Sequence, residues 1–414
     1  MADFSLTDGA DRLRGTGSDD TFSGGTLSRE DRISGGGGFD TLIADLAADL
    51  SGPETPRISF VERLLINGQG GELSLRGVRG VEEVIANGSD LFLRDAGLGV
   101  TYGARDVASG TVTIDFRSDL SGGGDTLSLL SDDANLAFKA GSDQQNSGIE
   151  RIELAAIGTE DAAEDVDISA FTSLQELTVT GENGVLLDVV SDVFSRLDAS
   201  ENTGGVELTS FNSASQDLEF IGSQGDDVLR TGTGNDTITG NDGDDEIDGE
   251  AGDDVIDGGV GDDVLNGNAG DDEVSGGDGN DEIDGGGGVD ILTGGAGDDI
   301  IDGGNGDDEI EGGDGNDELT GGDGDDLIVA GAGDDLLTGG GGADTFVFSG
   351  GDDEVTDFVV GTDILRFGGT DISTQQDILD NRGSITSMDS EGLTLELNGA
   401  SVTISIDTDF LMMG

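Results

Sequence analysis

The chain has 414 residues, with 91 Asp and Glu against 17 Lys and Arg and a formal charge of −74. That charge repels nucleic acid and anionic membranes, and the absence of Cys and His excludes disulfides, thiol chemistry, Cys- or His-based zinc sites and His-based catalytic triads. No apolar run reaches the roughly 18 residues that a membrane-spanning helix needs.

In chain order, residues 1–221 read as short strands between glycine turns. Met1 to Gly9 has neither a basic stretch nor an apolar core, so it does not read as a cleaved leader. Gly15 to Ser23 and Gly35 to Ile43 each join a glycine turn to an aspartate, Asp20 or Asp40, and a short alternating stretch. Gly122-Gly123-Gly124-Asp125-Thr126-Leu127 is a fragment of the same kind. A second pattern comprises Val61-Glu62-Arg63-Leu64, Val81-Glu82-Glu83-Val84 and Ile149-Glu150-Arg151-Ile152. Leu177, Leu197 and Leu218 recur at nearly even spacing, each opening an alternating stretch. Alternation predicts strands, and a period near twenty predicts irregular β-solenoid coils. A separate β-sandwich is the alternative, because strand periodicity alone does not set topology.

From Gly222 to Thr356 the pattern becomes strict, with fifteen nine-residue units and no insertion or deletion. The unit reads G-G-x-G-[DN]-D-x-U-x, where U is large and apolar. Position six is always Asp: Asp227, Asp236, Asp245, Asp254, Asp263, Asp272, Asp281, Asp290, Asp299, Asp308, Asp317, Asp326, Asp335, Asp344 and Asp353. Position four is always Gly, from Gly225 to Gly351, and position eight is always Leu, Ile, Val or Phe, from Leu229 to Val355. Position five is Asp or Asn except at Val289 and Ala343. Glycines at positions one, two and four are expected to supply positive φ and tight turns. Each turn then aims carbonyls and one carboxylate at a common point, a hard-oxygen set that suits calcium. The next three residues form a strand with position eight inward, and two units close one coil. The block holds 41 acidic residues against the single Arg230. Repulsion and chain entropy oppose its folding without a cation.

Beyond the array, Thr345-Phe346-Val347-Phe348, Val355-Thr356-Asp357-Phe358 and Gly361-Thr362-Asp363-Ile364-Leu365 read as an end that shields the last open edge. Ser373-Thr374-Gln375-Gln376 reads as a capping box opening a short helix. Leu393, Leu395 and Leu397, then Asn398-Gly399, then Val402, Ile404 and Ile406 predict a hairpin.

The nonapeptide resembles the RTX, or hemolysin-type calcium-binding, repeat. The resemblance implies an all-β, right-handed parallel β-solenoid whose calcium ions lie between turns stacked on the same side. The array has at most thirteen such gaps. The ligands implied are the fifteen position-six aspartates together with Asp20 and Asp40. Phe4-Ser5-Leu6-Thr7, Gly15-Thr16-Gly17, Gly38 to Leu42, Leu197 to Ser200 and Thr203 to Val206 are similar to segments of RTX-containing bacterial surface-layer proteins. Members of the RTX family leave the cell by type I secretion through an uncleaved C-terminal signal. The base-poor ending Asp409 to Gly414 resembles such a signal and also reads as a final strand. The expected organisation is therefore an irregular solenoid over 1–221, a calcium β-roll over 222–356, and a cap with a secretion signal over 357–414.

Three function classes follow. The first is a secreted calcium-binding structural or cell-surface protein. It folds on calcium, and its partners are calcium, the type I machinery, and copies of itself or a cell-surface polysaccharide. The second is a secreted RTX enzyme or adhesin whose activity lies in residues 44–221. An enzyme is weakened by the absence of His, of G-x-S-x-G and of any P-loop before Lys139. Carboxylate-only glycoside chemistry is left, with 4% aromatic residues and no Trp. The third, a pore-forming toxin, lacks an apolar helical domain. The reading carried forward is non-enzymatic and extracellular.

Overall fold

The computed structural model describes residues 2–46, 50, 56–67, 71–75, 78–87, 91–96, 100–116, 125–139, 149–157, 164–169, 171–189, 193–211, 216–367, 370–372, 385–388, 393–397 and 400–404. Among these residues every regular element is a β-strand apart from one single-residue 3₁₀ assignment at Leu75. The chain forms two compact units, Met1–Ser213 and Ala214–Gly414. The glycines at 122–124, the capping box at 373–376, the hairpin turn at 398–399 and the ending 409–414 lie outside the described residues.

The first unit is a parallel solenoid and not a sandwich. Phe22 pairs with Leu42, Leu42 with Leu64, Leu64 with Val84, and Val84 with Tyr102. The column continues through Leu129, Leu154 and Val179, and all eight side chains are buried. The sequence separation between partners differs from coil to coil, so each coil keeps its core strand while the rest of the loop varies in length. The tetrads noted in the sequence fall on this column: Arg63 lies opposite Glu83, and Leu64 opposite Val84. Leu177 lies opposite Leu197. A second, smaller parallel sheet is formed by Arg12–Arg14, Arg32–Ser34, Arg57–Ser59 and Val78–Arg79.

In the second unit the array is a regular β-roll. Its paired strands are parallel and register exactly two repeats apart, as in Leu265↔Ile283 and Ile283↔Ile301 on one side and Val274↔Leu292 and Leu292↔Ile310 on the other. Position eight points inward on both sides, and Leu229 through Val355 are buried at every copy. One aliphatic or aromatic side chain per repeat therefore makes most of the apolar core, with Ala330 and Phe348 added to it.

Position seven faces outward and alternates from coil to coil. One side carries Glu246, Val264, Glu282, Ile300, Glu318 and Leu336 in register; the other carries Val255, Glu273, Ile291, Glu309 and Leu327. Like charges directly opposite each other destabilise a sheet. Alternation puts an aliphatic residue between successive glutamates and keeps exposed residues such as Ile291 and Ile300 from merging into one apolar stripe.

After the array, Thr345–Phe348 pairs with Ile364–Phe367, which turns back antiparallel onto Thr370–Ile372. Leu393–Leu397 and Ala400–Ile404 form the expected antiparallel hairpin, and its second strand lies parallel on Asp352–Val355. Both open edges of the roll are thus covered.

Candidate metal centre

Each turn of the roll is held to the next by two rows of hydrogen bonds of opposite direction. In the inner row, the amide of a position-six aspartate donates to Oδ1 of the aspartate one coil later. Asp227 bonds Asp245 at 2.8 Å, Asp254 bonds Asp272 at 2.8 Å, and Asp335 bonds Asp353 at 3.2 Å. Thirteen such links run through the array, one for each gap counted in the sequence. In the outer row, the amide at position five donates back to the side chain one coil earlier, as Asp262 does to Asp244 at 3.0 Å. Val289 offers no acceptor, and the Asp307 amide one coil later is without the bond that its counterparts make.

The inner row uses only one carboxylate oxygen. Oδ2 of every array aspartate except Asp227 and Asp344 is buried with no hydrogen-bond partner. Leaving a buried carboxylate oxygen unpaired is costly, so the position of these atoms is informative. A Cβ built on Gly240 would stand 2.1 Å from Oδ2 of Asp245 and 2.5 Å from the carbonyl oxygen of Gly258. On Gly258 it would stand 2.3 Å from Oδ2 of Asp263 and 2.8 Å from the carbonyl of Gly276. The space above each position-one glycine is therefore a cradle between an orphaned carboxylate oxygen and a carbonyl of the next coil.

This corrects the expectation for the glycines. Positive φ belongs to positions two and four, as at Gly259 (111°) and Gly261 (144°), and Asn241, Glu250 and Asn268 adopt it at position two. Position one has ordinary φ, and its glycine is needed for the space that a side chain would fill. Thr231, Ala330 and Phe348 are departures at this position. The Thr231 hydroxyl bonds the Gly249 carbonyl at 2.7 Å.

Burial first, then neighbouring carboxylates, push the fourteen array aspartates from Asp236 to Asp353 up from the usual carboxylate range. Asp245, Asp254 and Asp353 reach about 7, and Asp263, Asp281, Asp290, Asp317 and Asp326 about 6. A bound cation would offset both causes, by replacing the lost solvation of the buried carboxylates and by neutralising the stacked charges. Calcium accepts six to eight carboxylate and carbonyl oxygens at flexible geometry, and these cradles present oxygens of both kinds. Among the described residues no three His, Cys, Asp or Glu side chains converge, so backbone oxygens must supply much of any coordination shell.

The N-terminal units split into two kinds. Asp40 has the array arrangement: Oδ1 accepts from the Asp20 amide at 2.8 Å, Oδ2 is orphaned, and a Cβ on Gly35 would meet both Oδ2 and the Phe60 carbonyl. Asp20 is satisfied by the protein itself, through the amide and hydroxyl of Thr16 and the amide of Ala2. Those bonds, led by the Thr16 amide, hold its carboxyl below the usual range. Asp227, in the first array unit, accepts in the same way from Ser223.

The sequence reading missed four members of these rows. Asp11 and Asp31 are buried and linked at 2.8 Å, each capped by a hydroxyl residue, Thr7 or Ser28. Glu62 accepts from the Asp40 amide at 2.7 Å, and Asp363 from the Asp344 amide at 3.3 Å. A Thr or Ser three or four residues before an Asp was the available signal for Asp11 and Asp31.

A family model of the RTX calcium-binding nonapeptide repeat matches residues 6–26, 27–50, 221–256, 248–283, 257–292, 284–319 and 320–355. The two N-terminal matches cover Asp11 and Asp20, then Asp31 and Asp40. No curated protein matches the chain.

Proposed function

The chain is a calcium-binding RTX-repeat protein, and from that premise we propose that it is a secreted structural protein whose roll is assembled by calcium outside the cell. The orphaned Oδ2 row carries this reading. Thirteen carboxylate oxygens of the array are buried without a hydrogen-bond donor, and calcium is the partner that lets them stay ionised. Asp236, Asp245, Asp254, Asp263, Asp272, Asp281, Asp290, Asp299, Asp308, Asp317, Asp326, Asp335 and Asp353, with Asp40, are the ligands we assign. Asp344 joins them through its place beside Gly339, while Asp20 and Asp227 act as hydrogen-bonded end pieces.

The role is non-catalytic in this reading, because the buried carboxylates are committed to links between coils. A chain that stays unfolded where calcium is scarce can pass a narrow export channel. Folding on the calcium-rich side then draws it outward by mass action. Type I export and a place at the cell surface follow from this. Circular dichroism of the full chain tests it: β-structure of the roll should appear at about 10⁻⁴–10⁻³ M calcium, the range of extracellular modules. A complete β-signal in excess chelator would overturn the switch. Normal export of a chain lacking residues 357–414 would overturn the route.

A further inference from the structure

The small sheet of the first unit concentrates positive charge in a chain where acidic residues outnumber basic ones about fivefold. Arg12, Arg32 and Arg57 are direct partners in successive strands. The parallel row beside them reads Arg14, Ser34, Ser59 and Arg79. Between the two rows Ile33 and Ile58 point inward and are buried, so alternation sends both rows outward. Except for Arg79, the two rows line a shallow groove of about 520 Å³.

Four arginines elsewhere have acidic partners: Arg63 with Glu83, Arg151 with Glu176, Arg196 with Asp198 and Arg230 with Glu246. Among the described residues Arg12, Arg14, Arg57 and Arg79 have none, and Arg32 bonds only the carbonyls of Arg29 and Asp31. The nearby carboxylates of Asp11 and Asp31 are buried and accept from Thr7 and Ser28. Strands lie about 4.8 Å apart, and like charges directly opposite repel. Three arginines in register at that spacing, in a chain rich in carboxylates, call for an external anion.

We propose that this sheet binds a linear oligoanion carrying sulfate or phosphate esters, with successive anionic groups clamped by the Arg12–Arg32–Arg57 ladder. The guanidinium fork matches tetrahedral oxyanions in two-bond geometry, and the Ser34 and Ser59 hydroxyls supply neutral donors beside it. The strong negative charge elsewhere works against non-specific adsorption of such a polymer, so binding must be local. None of the residues of this groove is among the calcium ligands assigned above, although Ser34 and Ser59 directly precede Gly35 and Phe60 of the Asp40 cradle, so calcium is held constant in the test.

The test uses the full-length protein in millimolar calcium, titrated with dextran sulfate, phosphomannan and uncharged dextran. Either charged polymer should bind, the neutral one should not, and raising the salt from about 0.1 to 0.5 M should release it, because exposed charges are screened. Arg12→Gln/Arg57→Gln should weaken binding at least tenfold while leaving the circular dichroism and the calcium titration unchanged. Arg12→Lys/Arg57→Lys should restore part of it. Equal binding by the glutamine variant, or no binding by the wild-type chain, would overturn the proposal. So would concentration-dependent dimerisation in sedimentation that the glutamine variant abolishes, since the partner would then be a second copy's acidic face.

Discussion

The amide of Asp272 donates to Oδ1 of Asp290 at 2.8 Å, tying together aspartates one coil apart. Asp272 itself accepts from Asp254 at the same distance, so one residue serves two gaps on the same side. Asp272→Ala should therefore remove one to two calcium ions from the stoichiometry and leave the Asp254 amide unpaired, at a cost of about 1–3 kcal/mol. Titration calorimetry and denaturant unfolding at fixed calcium check this. An unchanged stoichiometry would count against shared ligation.

Two glycine substitutions separate space from conformation. Gly261→Ala places a Cβ 1.8 Å from the Gly243 carbonyl at a φ of 144°, and should prevent its coil from stacking at any calcium level. Gly287→Ala, at position three, meets nothing closer than 3.8 Å, and should leave the calcium midpoint within about twofold. Circular dichroism against calcium distinguishes them.

Acid should partly replace the metal. The array aspartates from Asp236 to Asp353 titrate higher in the folded roll than in an unfolded chain, up to about 7 at Asp245, Asp254 and Asp353. The folded state thus binds more protons. The stability this contributes is fully present below pH about 4 and is lost as the pH rises towards 7. In excess chelator the array should gain β-structure between pH 7.5 and 4.5, and at constant pH calcium binding should release protons. A chelated chain equally unfolded at both pH values would contradict this.

How much of this was legible depended on fixed spacing. The array aspartates and the position-eight core recur once per repeat, so register alone gave coil length, inward face and candidate ligands. Asp11, Asp31, Glu62 and Asp363 occupy equivalent places, but their coils run to other lengths and Glu62 substitutes for Asp. No spacing rule found them. The arginine ladder was hidden for the same reason: Arg12, Arg32 and Arg57 are unevenly spaced along the chain, and only the folded register aligns them. The role of position one was also out of reach, since a glycine needed for space and one needed for positive φ look alike in sequence.

The interrupted outer row offers a gain of stability. Asn235, Asn280 and Asn316 accept from the next coil in that row at 2.8–3.2 Å. Val289→Asn should give the Asp307 amide the same acceptor and replace an exposed apolar side chain. The expected gain is up to about 1 kcal/mol, read as a lower calcium concentration at half-folding. A higher midpoint would show that Val289 packs usefully where it is.

Because both hydrogen-bond rows join residues one full coil apart, the roll works as a ruler with a defined unit of length. Removing or duplicating one coil within the array moves the cap by one strand spacing, about 4.8 Å, and reconnects every amide to an equivalent acceptor. Removing a single repeat also rejoins a sound core, since position eight is apolar throughout, but it turns everything downstream through half a revolution. Whatever the two ends of this roll are fastened to, their separation can change in small steps, while their facing is preserved only by changes of whole coils.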